Sequence, residues 1–300
     1  MKQIAIIGPT ASGKSDLALE LADTFNANIL SIDSLSIYKE IDIASAKPSH
    51  QELLHVKHFG INELYPNETF SVATFINLYL TCKAQTETEG KNLIIVGGSS
   101  FYLKSLLSGL SVIPEISDAT KREAKAMLCN TTQAYEMLYT LDSHYMKDID
   151  SQDSYRIEKM LHLYLQTNTI PSQWFKKNPP QATIKSLNIF NIDVEREVLR
   201  ERIQLRTYKM LKLGLIDEIT SLEKSYGRTP NSMKAIGIIE VLEYLDGLTC
   251  KEEMIENIIT HTAQLAKRQQ TFNNNQFENI LHVKREELFD LASKSFDKVK

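Results

Sequence analysis

Gly8-Pro9-Thr10-Ala11-Ser12-Gly13-Lys14-Ser15 matches G-x-x-x-x-G-K-[ST] in full. A loop of this composition suits phosphate binding. Glycines let backbone N–H groups converge on phosphate oxygens, and the first turn of a following helix adds a partial positive charge. Lys14 supplies a mobile cation, and the Ser15 hydroxyl is suited to Mg²⁺. The pattern has meaning only after a strand and before a helix. Residues 4–7 form a short apolar run, and Leu17, Ala18, Leu21 and Ala22 recur at helical spacing within 15–25. A glycine-rich turn that binds nothing is the plainer alternative. The motif points to a diphosphate or polyphosphate, not to ATP in particular.

A P-loop of this kind needs an acid at the end of a nearby strand to hold Mg²⁺. The apolar run 93–96 leads into Gly97-Gly98-Ser99-Ser100, which has no acid. The run 28–32 leads into Asp33, at the carboxyl end of an expected strand, where α/β sheets keep their sites. Asp33 has three readings: metal ligand, general base or helix N-cap. As a base it would take the proton of an incoming nucleophile. For a weak amine, positioning would matter more than basicity. Ser34 and Ser36 read as loop residues.

Arg206 falls among Leu199, Ile203, Met210 and Leu213 on the apolar stripe of a helix expected over 194–213. A charge there is costly unless paired. It either snorkels to solvent or meets a buried anion such as a diphosphate in the loop. Arg196, Arg200 and Arg202 fall on other faces and read as solvated or ion-paired. Lys121, Arg122, Lys125, Arg156, Lys159, Lys267 and Arg268 each read singly as a solvated helix face. Together they could furnish a nucleic-acid surface.

These residues need a scaffold. Strands are expected at 2–7, 28–32, 93–96, 186–192 and 280–283, alternating with helices at 15–25 and 101–107. That alternation predicts an α/β fold with a mostly parallel sheet and helices on its faces. Between 111 and 180 strand signals vanish. Helical periodicity covers 118–128, 132–141 and 153–165, and Pro171, Trp174, Pro179 and Pro180 close the stretch. The expectation is a core of 1–110 and 181–300 with a helical insertion at 111–180. Asp193 is expected to cap the helix after the returning strand.

Composition bounds the rest. In 300 residues, 42% hydrophobic and 24% charged, there is ample material for a core, which excludes disordered and collagen-like classes. No apolar run approaches the roughly 20 residues of a membrane span, and the first is too short for a signal sequence. Cys82, Cys129 and Cys250 are odd in number and widely spaced, so neither a disulfide framework nor a zinc site is expected. A reducing cytoplasm, without a membrane partner, is the simplest address. A net charge of −4 argues against indiscriminate nucleic-acid binding but permits a local basic face.

Taken together, the motifs resemble the tRNA dimethylallyltransferases (isopentenyl-tRNA transferases) of bacterial type. The resemblance starts at the P-loop and continues through Asp33-Ser34, Tyr38, Asp42-Ile43 and Ala46-Lys47-Pro48. His58, Phe70-Ser71-Val72 with Phe75, Gly97-Gly98-Ser99 with Tyr102, and Gly109-Leu110 extend it. Asp153 and Arg156 follow, then Arg202-Ile203, Arg206, Met210-Leu211, Gly214-Leu215 and Glu218. Ala235-Ile236-Gly237 and 264–269 complete it, so it runs from Ile4 to about Phe272. Ser99-Ser100 stands where the family usually has Thr-Gly, and Lys57 replaces the first of the family's paired histidines. Residues 271–275 lack the usual tryptophan and arginine.

The resemblance implies a P-loop NTPase-like parallel sheet core flanked by helices, with an inserted all-helical tRNA-binding domain. It implies transfer of the dimethylallyl group from dimethylallyl diphosphate to the N6 amine of the adenine 3′ of the anticodon, in tRNAs reading codons that start with U. Gly8, Pro9, Thr10, Ala11, Ser12, Gly13, Lys14 and Ser15 would hold the donor diphosphate, with Ser15 near Mg²⁺. Asp33 would orient the amine and take its proton. Arg206 and Lys14 would neutralise the departing diphosphate. Asp33, Ser34, Leu35, Ser36, Ser99, Lys121, Tyr155, Arg156, Ile157, Glu158, Lys159, Lys267 and Arg268 would meet the anticodon arm of the tRNA. The implied enzyme is a cytoplasmic monomer. Two rivals remain on the residues alone: a P-loop kinase, which would need an arginine-rich lid, and a nucleotide-gated RNA-binding module, which would not explain Asp33 or Arg206.

Overall fold

The five strands expected from apolar runs lie side by side, and one short strand joins them at an edge. The structure, a computed structural model, describes residues 1–297. The strands are β1 (Gln3–Ile7), β2 (Ala27–Ser31), β3 (His58–Phe59), β4 (Asn92–Gly97), β5 (Asn188–Ile192) and β6 (Ile280–Val283). All pair in parallel, in the order β3-β2-β4-β1-β5-β6. Ile6 sits opposite both Val96 and Phe190. Both faces of β1 are covered, which is why it reads as an unbroken apolar run. Ile4 and Ile6 pack on Leu17, Leu21 and Leu288, while Ala5 and Ile7 pack on the side of Phe75, Tyr79 and Leu103. Each fully buried large side chain contributes about 1.5–3 kcal/mol.

The core helices are α1 (Lys14–Thr24), α2 (His50–His55), α3 (Val72–Thr88) and α4 (Ser100–Ser108). After the insertion come α10 (Arg196–Lys212), α11 (Leu215–Tyr226), α12 (Ile238–Leu245), α13 (Lys251–Gln276) and α14 (Arg285–Asp297). Because every strand is parallel, the chain leaves each carboxyl end at one edge of the sheet. That edge gathers the P-loop after β1, Asp33 after β2, Gly97-Gly98-Ser99 after β4 and Arg285 after β6.

The chain divides into two units. Met1–Leu107 and the chain from Ile184 onward form one, and Ser108–Thr183 forms the other. The sequence had suggested junctions at 110/111 and 180/181. In the first unit Ile184 N–H donates to the Leu106 carbonyl at 3.0 Å. In the second, Leu110 and Gln181 form an antiparallel bridge. Gln181 comes so close to Gly109 that a Cβ there would lie 2.1 Å from the Gln181 carbonyl oxygen, so only glycine fits.

The second unit contains α5 (Asp118–Met127), α6 (Thr131–Leu141), α7 (Ser143–Met146), α8 (Ser154–Thr167) and α9 (Pro171–Lys177). Ser117, Asn130, Asp142 and Asp153 each accept a backbone N–H at a helix start. Ala124, Leu138, Met146, Ile157 and Leu161 form its core. Pro171, among the residues that close the helical stretch, opens α9, because proline suits a first helical position.

Three further expectations change. Asp193 does not cap a helix: its carboxylate accepts from Asn191 and lies 3.1 Å from His282 Nδ1, and α10 starts after Glu195. Leu213 does not extend the apolar stripe of α10; it is 61% exposed, and the buried positions are Leu199, Ile203 and Thr207. Ile157 does not face solvent. It is wholly buried in the helical unit, so its place among tRNA-contacting residues is corrected. On α8 it lies on the face opposite the exposed Tyr155, Arg156 and Lys159.

Candidate active site

The P-loop turns sharply after β1. Ser12 N–H donates to the Pro9 carbonyl at 3.2 Å, and α1 opens at Lys14 from Gly13, whose φ of 83° is left-handed. Glycine takes that conformation without the cost a side chain would carry. Lys14 Nζ donates to the Pro9 carbonyl at 3.0 Å and is buried. Burial lowers its pKa from the usual 10.5 to about 8; nearby Arg206 pushes the same way, and Asp33 opposes both. Lys14 is thus a cation kept short of a partner.

Thr10, Lys14, Ser15, Asp33, Ser45 and Arg206 line a cavity whose remaining wall includes Leu19, Ile29, Ile61, Val96 and His58. Ser36 also faces it, as a buried residue rather than a surface one. His58 Nδ1 lies 2.7 Å from the Val56 carbonyl, and burial pushes its pKa below the usual histidine value. Thr10, Asp33, Ser45 and Arg206 also line a neighbouring cavity, together with Ser34, Leu35, Ser99, Ala235, Gly237 and Leu265. Asp33 and Arg206 therefore stand where two cavities meet: one polar at the P-loop end, one formed by α10, α13 and the 234–237 segment.

The Asp33 carboxylate is aimed by its own chain. Oδ1 accepts from Leu35 N–H at 2.8 Å and Ser36 N–H at 3.2 Å. The residue caps a turn, so the capping reading is realised there and not at a helix. Arg206 reaches inward from α10, with Nη2 3.4 Å from the Ser45 carbonyl. Burial lowers its pKa and Asp33 raises it. No carboxylate pairs with it among the described residues. A guanidinium so placed can meet an anion in either cavity.

Neighbouring elements hold these walls. Glu218 on α11 accepts three successive backbone N–H groups, from Asp42 at 3.1 Å, Ile43 at 2.7 Å and Ala44 at 3.0 Å. Lys47 donates to the Tyr38 carbonyl, to Asp42 and to Asn62. The loop carrying Ser45 and Ala46 is thereby fixed at both ends. Gln269 on α13 accepts from Thr10 N–H at 2.8 Å. A Cβ on Gly98 would lie 2.4 Å from Gln269 Nε2, so this glycine makes room for that contact. Ser99 Oγ lies 3.3 Å from Ser34 N–H, which joins two of the expected tRNA contacts.

Glu218 and Gln269 appear in the sequence only as parts of family patterns, and their contacts depend on α11 and α13 folding back onto the first third of the chain. Arg202, whose Nη1 lies 3.4 Å from the Ser12 carbonyl, reads from sequence as solvated or ion-paired. Arg285 gives no sequence signal at all.

Other expected tRNA contacts lie in the helical unit. Tyr155 is 68% exposed, and Lys159 Nζ lies 5.3 Å from its ring centre. Arg156 pairs with Asp153 at 2.6 Å, Glu158 lies 3.9 Å from His162, and Lys121 pairs with Asp118 at 3.0 Å. Lys267 and Arg268 belong to the core unit, exposed on α13, which continues past them to Gln276.

No group of three His, Cys, Asp or Glu side chains able to hold a metal occurs among the described residues. Ser15 and Asp33 face one cavity, and Mg²⁺ commonly takes one or two protein oxygens together with phosphate and water. The donor set fits a metal that arrives with its phosphate, not a resident cage. No helix among the described residues is long and apolar enough to cross a membrane.

A parallel sheet carries its P-loop after an interior strand, with an acid and an arginine at the junction of two cavities, the arrangement of a P-loop protein that handles a phosphorylated ligand. The IPP transferase family model matches residues 36–276, and the chain belongs to that family. It is 58% identical over 97% of its length to the tRNA dimethylallyltransferase of Sulfurimonas denitrificans, of which it covers 98%. To the corresponding protein of Sulfurovum sp. it is 54% identical, over 94% of each chain. The crystal structure of the tRNA isopentenylpyrophosphate transferase of Staphylococcus epidermidis superposes with a TM-score of 0.70 at 31% identity, covering 99% of this chain and 98% of that one.

Proposed function

We propose that the chain is a tRNA dimethylallyltransferase, moving the dimethylallyl group from dimethylallyl diphosphate to N6 of the adenine 3′ of the anticodon in tRNAs that read codons starting with U. The observation that carries this reading is the place of Asp33 and Arg206 where two cavities meet. The diphosphate occupies the P-loop end. The adenine, drawn out of its stack as base-acting enzymes require, enters from the side of Ser99 and Gly237.

In the reaction the N6–C1 bond forms as the C1–O bond to diphosphate breaks. Asp33 holds the amine and receives its proton. Arg206 and Lys14 take up the charge that gathers on the leaving diphosphate, which becomes the product. Mg²⁺ bound with the donor, against Ser15, would neutralise part of the same charge. Lys267 and Arg268 in the core unit, and Lys121, Tyr155, Arg156 and Lys159 in the helical unit, are exposed groups suited to the anticodon arm. The reading extends to a cytoplasmic monomer; the three free cysteines, one buried and two exposed, suit a reducing compartment.

The test uses the protein, Mg²⁺ and an anticodon stem-loop with the A-A-A run. Dimethylallyl diphosphate and ATP are supplied in parallel, and the RNA mass is read. A gain of one dimethylallyl group with the diphosphate donor alone is expected. ATP turnover or phosphate transfer without that gain would sink the reading in favour of a kinase. Asp33→Ala is expected to lower the rate about 10²–10⁴-fold with tRNA affinity retained; full activity would remove Asp33 as the base.

A further inference from the structure

β6 runs parallel to β5 and ends at Val283, so the chain leaves the sheet at the edge that carries the P-loop. α14 starts two residues later, at Arg285, and returns along α1. Phe25 stacks on Phe296 at 5.0 Å and meets Phe289 at 5.9 Å, while Leu288 and Ala292 are fully buried with Leu17 and Leu21. The Lys284 backbone N–H donates to the Glu287 carboxylate at 3.1 Å, which turns that acid toward its own helix start. α14 is therefore anchored along its length, and its first residue has a defined place.

That place is above the P-loop. A Cβ built on Gly13 would lie 3.8 Å from Arg285 Cδ and Nη1. Arg285 lines an open cavity with Gly13, Lys14, Ser15, Arg202 and Arg206, in which Asp16 is the acidic residue. Four cations thus face one carboxylate. Arg202, Arg206 and Arg285 have no carboxylate partner among the described residues. Such crowding is repulsive until an anion of several charges joins it. Asp33 is absent from this cavity and lines the other one, which shares Lys14, Ser15 and Arg206 with it.

We propose that Arg285 is a further donor-binding residue, which grips the terminal phosphate of the diphosphate from the side opposite the reacting carbon. The inference rests on the reading of the P-loop as a diphosphate site. It makes the C-terminal helix part of the active site. Guanidinium groups suit this task because their fork matches phosphate oxygens.

The test is calorimetric titration with inorganic pyrophosphate and Mg²⁺, on the full chain and on Arg285→Gln and Arg285→Lys. Arg285→Gln is expected to bind about 5–10-fold more weakly, about 1–1.4 kcal/mol; Arg285→Lys should recover part of the loss. In steady state with the anticodon stem-loop, KM for dimethylallyl diphosphate should rise by the same factor, with a much smaller change in kcat. Arg285 is exposed, so unfolding of the unliganded variant should match the parent. Equal pyrophosphate affinity and KM in Arg285→Gln would overturn the inference and leave the proposed function standing. A loss of tRNA affinity to the same extent would also overturn it, since the arginine would then be structural. If the parent neither binds pyrophosphate nor prenylates RNA, the function itself fails, and the inference with it.

Discussion

Lys14 illustrates how burial prepares a single side chain. With its pKa near 8, the free protein holds it largely neutral at pH 9, whereas a bound diphosphate favours the ammonium form. Below about pH 8 the lysine is charged in both folded and unfolded chains, and the cost of burying that charge is fully present. Between 8 and 10.5 the unfolded chain holds the extra proton, so stability rises with pH while donor affinity falls. Pyrophosphate titrations at pH 9 in buffers of different ionisation enthalpy should show net proton uptake on binding; heats independent of the buffer would contradict this. Lys14, Asp33 and Arg206 were legible because each breaks a local rule: a lysine in a glycine loop, an acid at a strand end, a charge on an apolar stripe. Ile157 escapes any reading that treats the run 155–159 as one block. On a helix, neighbours in sequence face different ways, and the third residue of that run belongs to the core.

At the scale of elements, the sheet was readable because its strands are buried on both faces and so appear as short apolar runs. β3, two residues long, has no such run. α3 carries its signal on the buried face, where Phe75, Tyr79 and Cys82 recur at helical spacing. α14 went unread because its buried residues make sense only against α1. The same dependence governs Glu218, whose carboxylate serves a loop far away in sequence. Glu218→Ala leaves three backbone N–H groups without their acceptor and should cost about 1–3 kcal/mol in denaturant unfolding. It should also raise KM for dimethylallyl diphosphate, since Ser45 and Ala46 lose their support, and Glu218→Gln should retain part of both. An unchanged KM in Glu218→Ala would show that the loop keeps its shape without the carboxylate.

Over the whole molecule, the net charge of −4 is no obstacle to RNA, because screening confines the relevant field to about 8 Å. Lys267 and Arg268 are exposed on the last turns of a long helix and suit phosphate contacts. Replacing both with alanine should weaken tRNA binding for all sequences alike and flatten the dependence of log K on log salt by roughly 1–2. An unaltered slope would remove them from the interface. The alternation of strand and helix, then its loss over the middle of the chain, made the division into two kinds of architecture readable. The residues at which they join were not, because Gly109 and Gln181 meet only once both flanking segments are folded. That junction bears on the history of the fold. The chain departs at Leu107 and resumes at Ile184, beside the Leu106 carbonyl that receives it. No strand pairing of the sheet involves the intervening residues. A recombination event exchanging that segment would therefore leave the sheet's connectivity intact, so the helical unit can be replaced without re-threading the core.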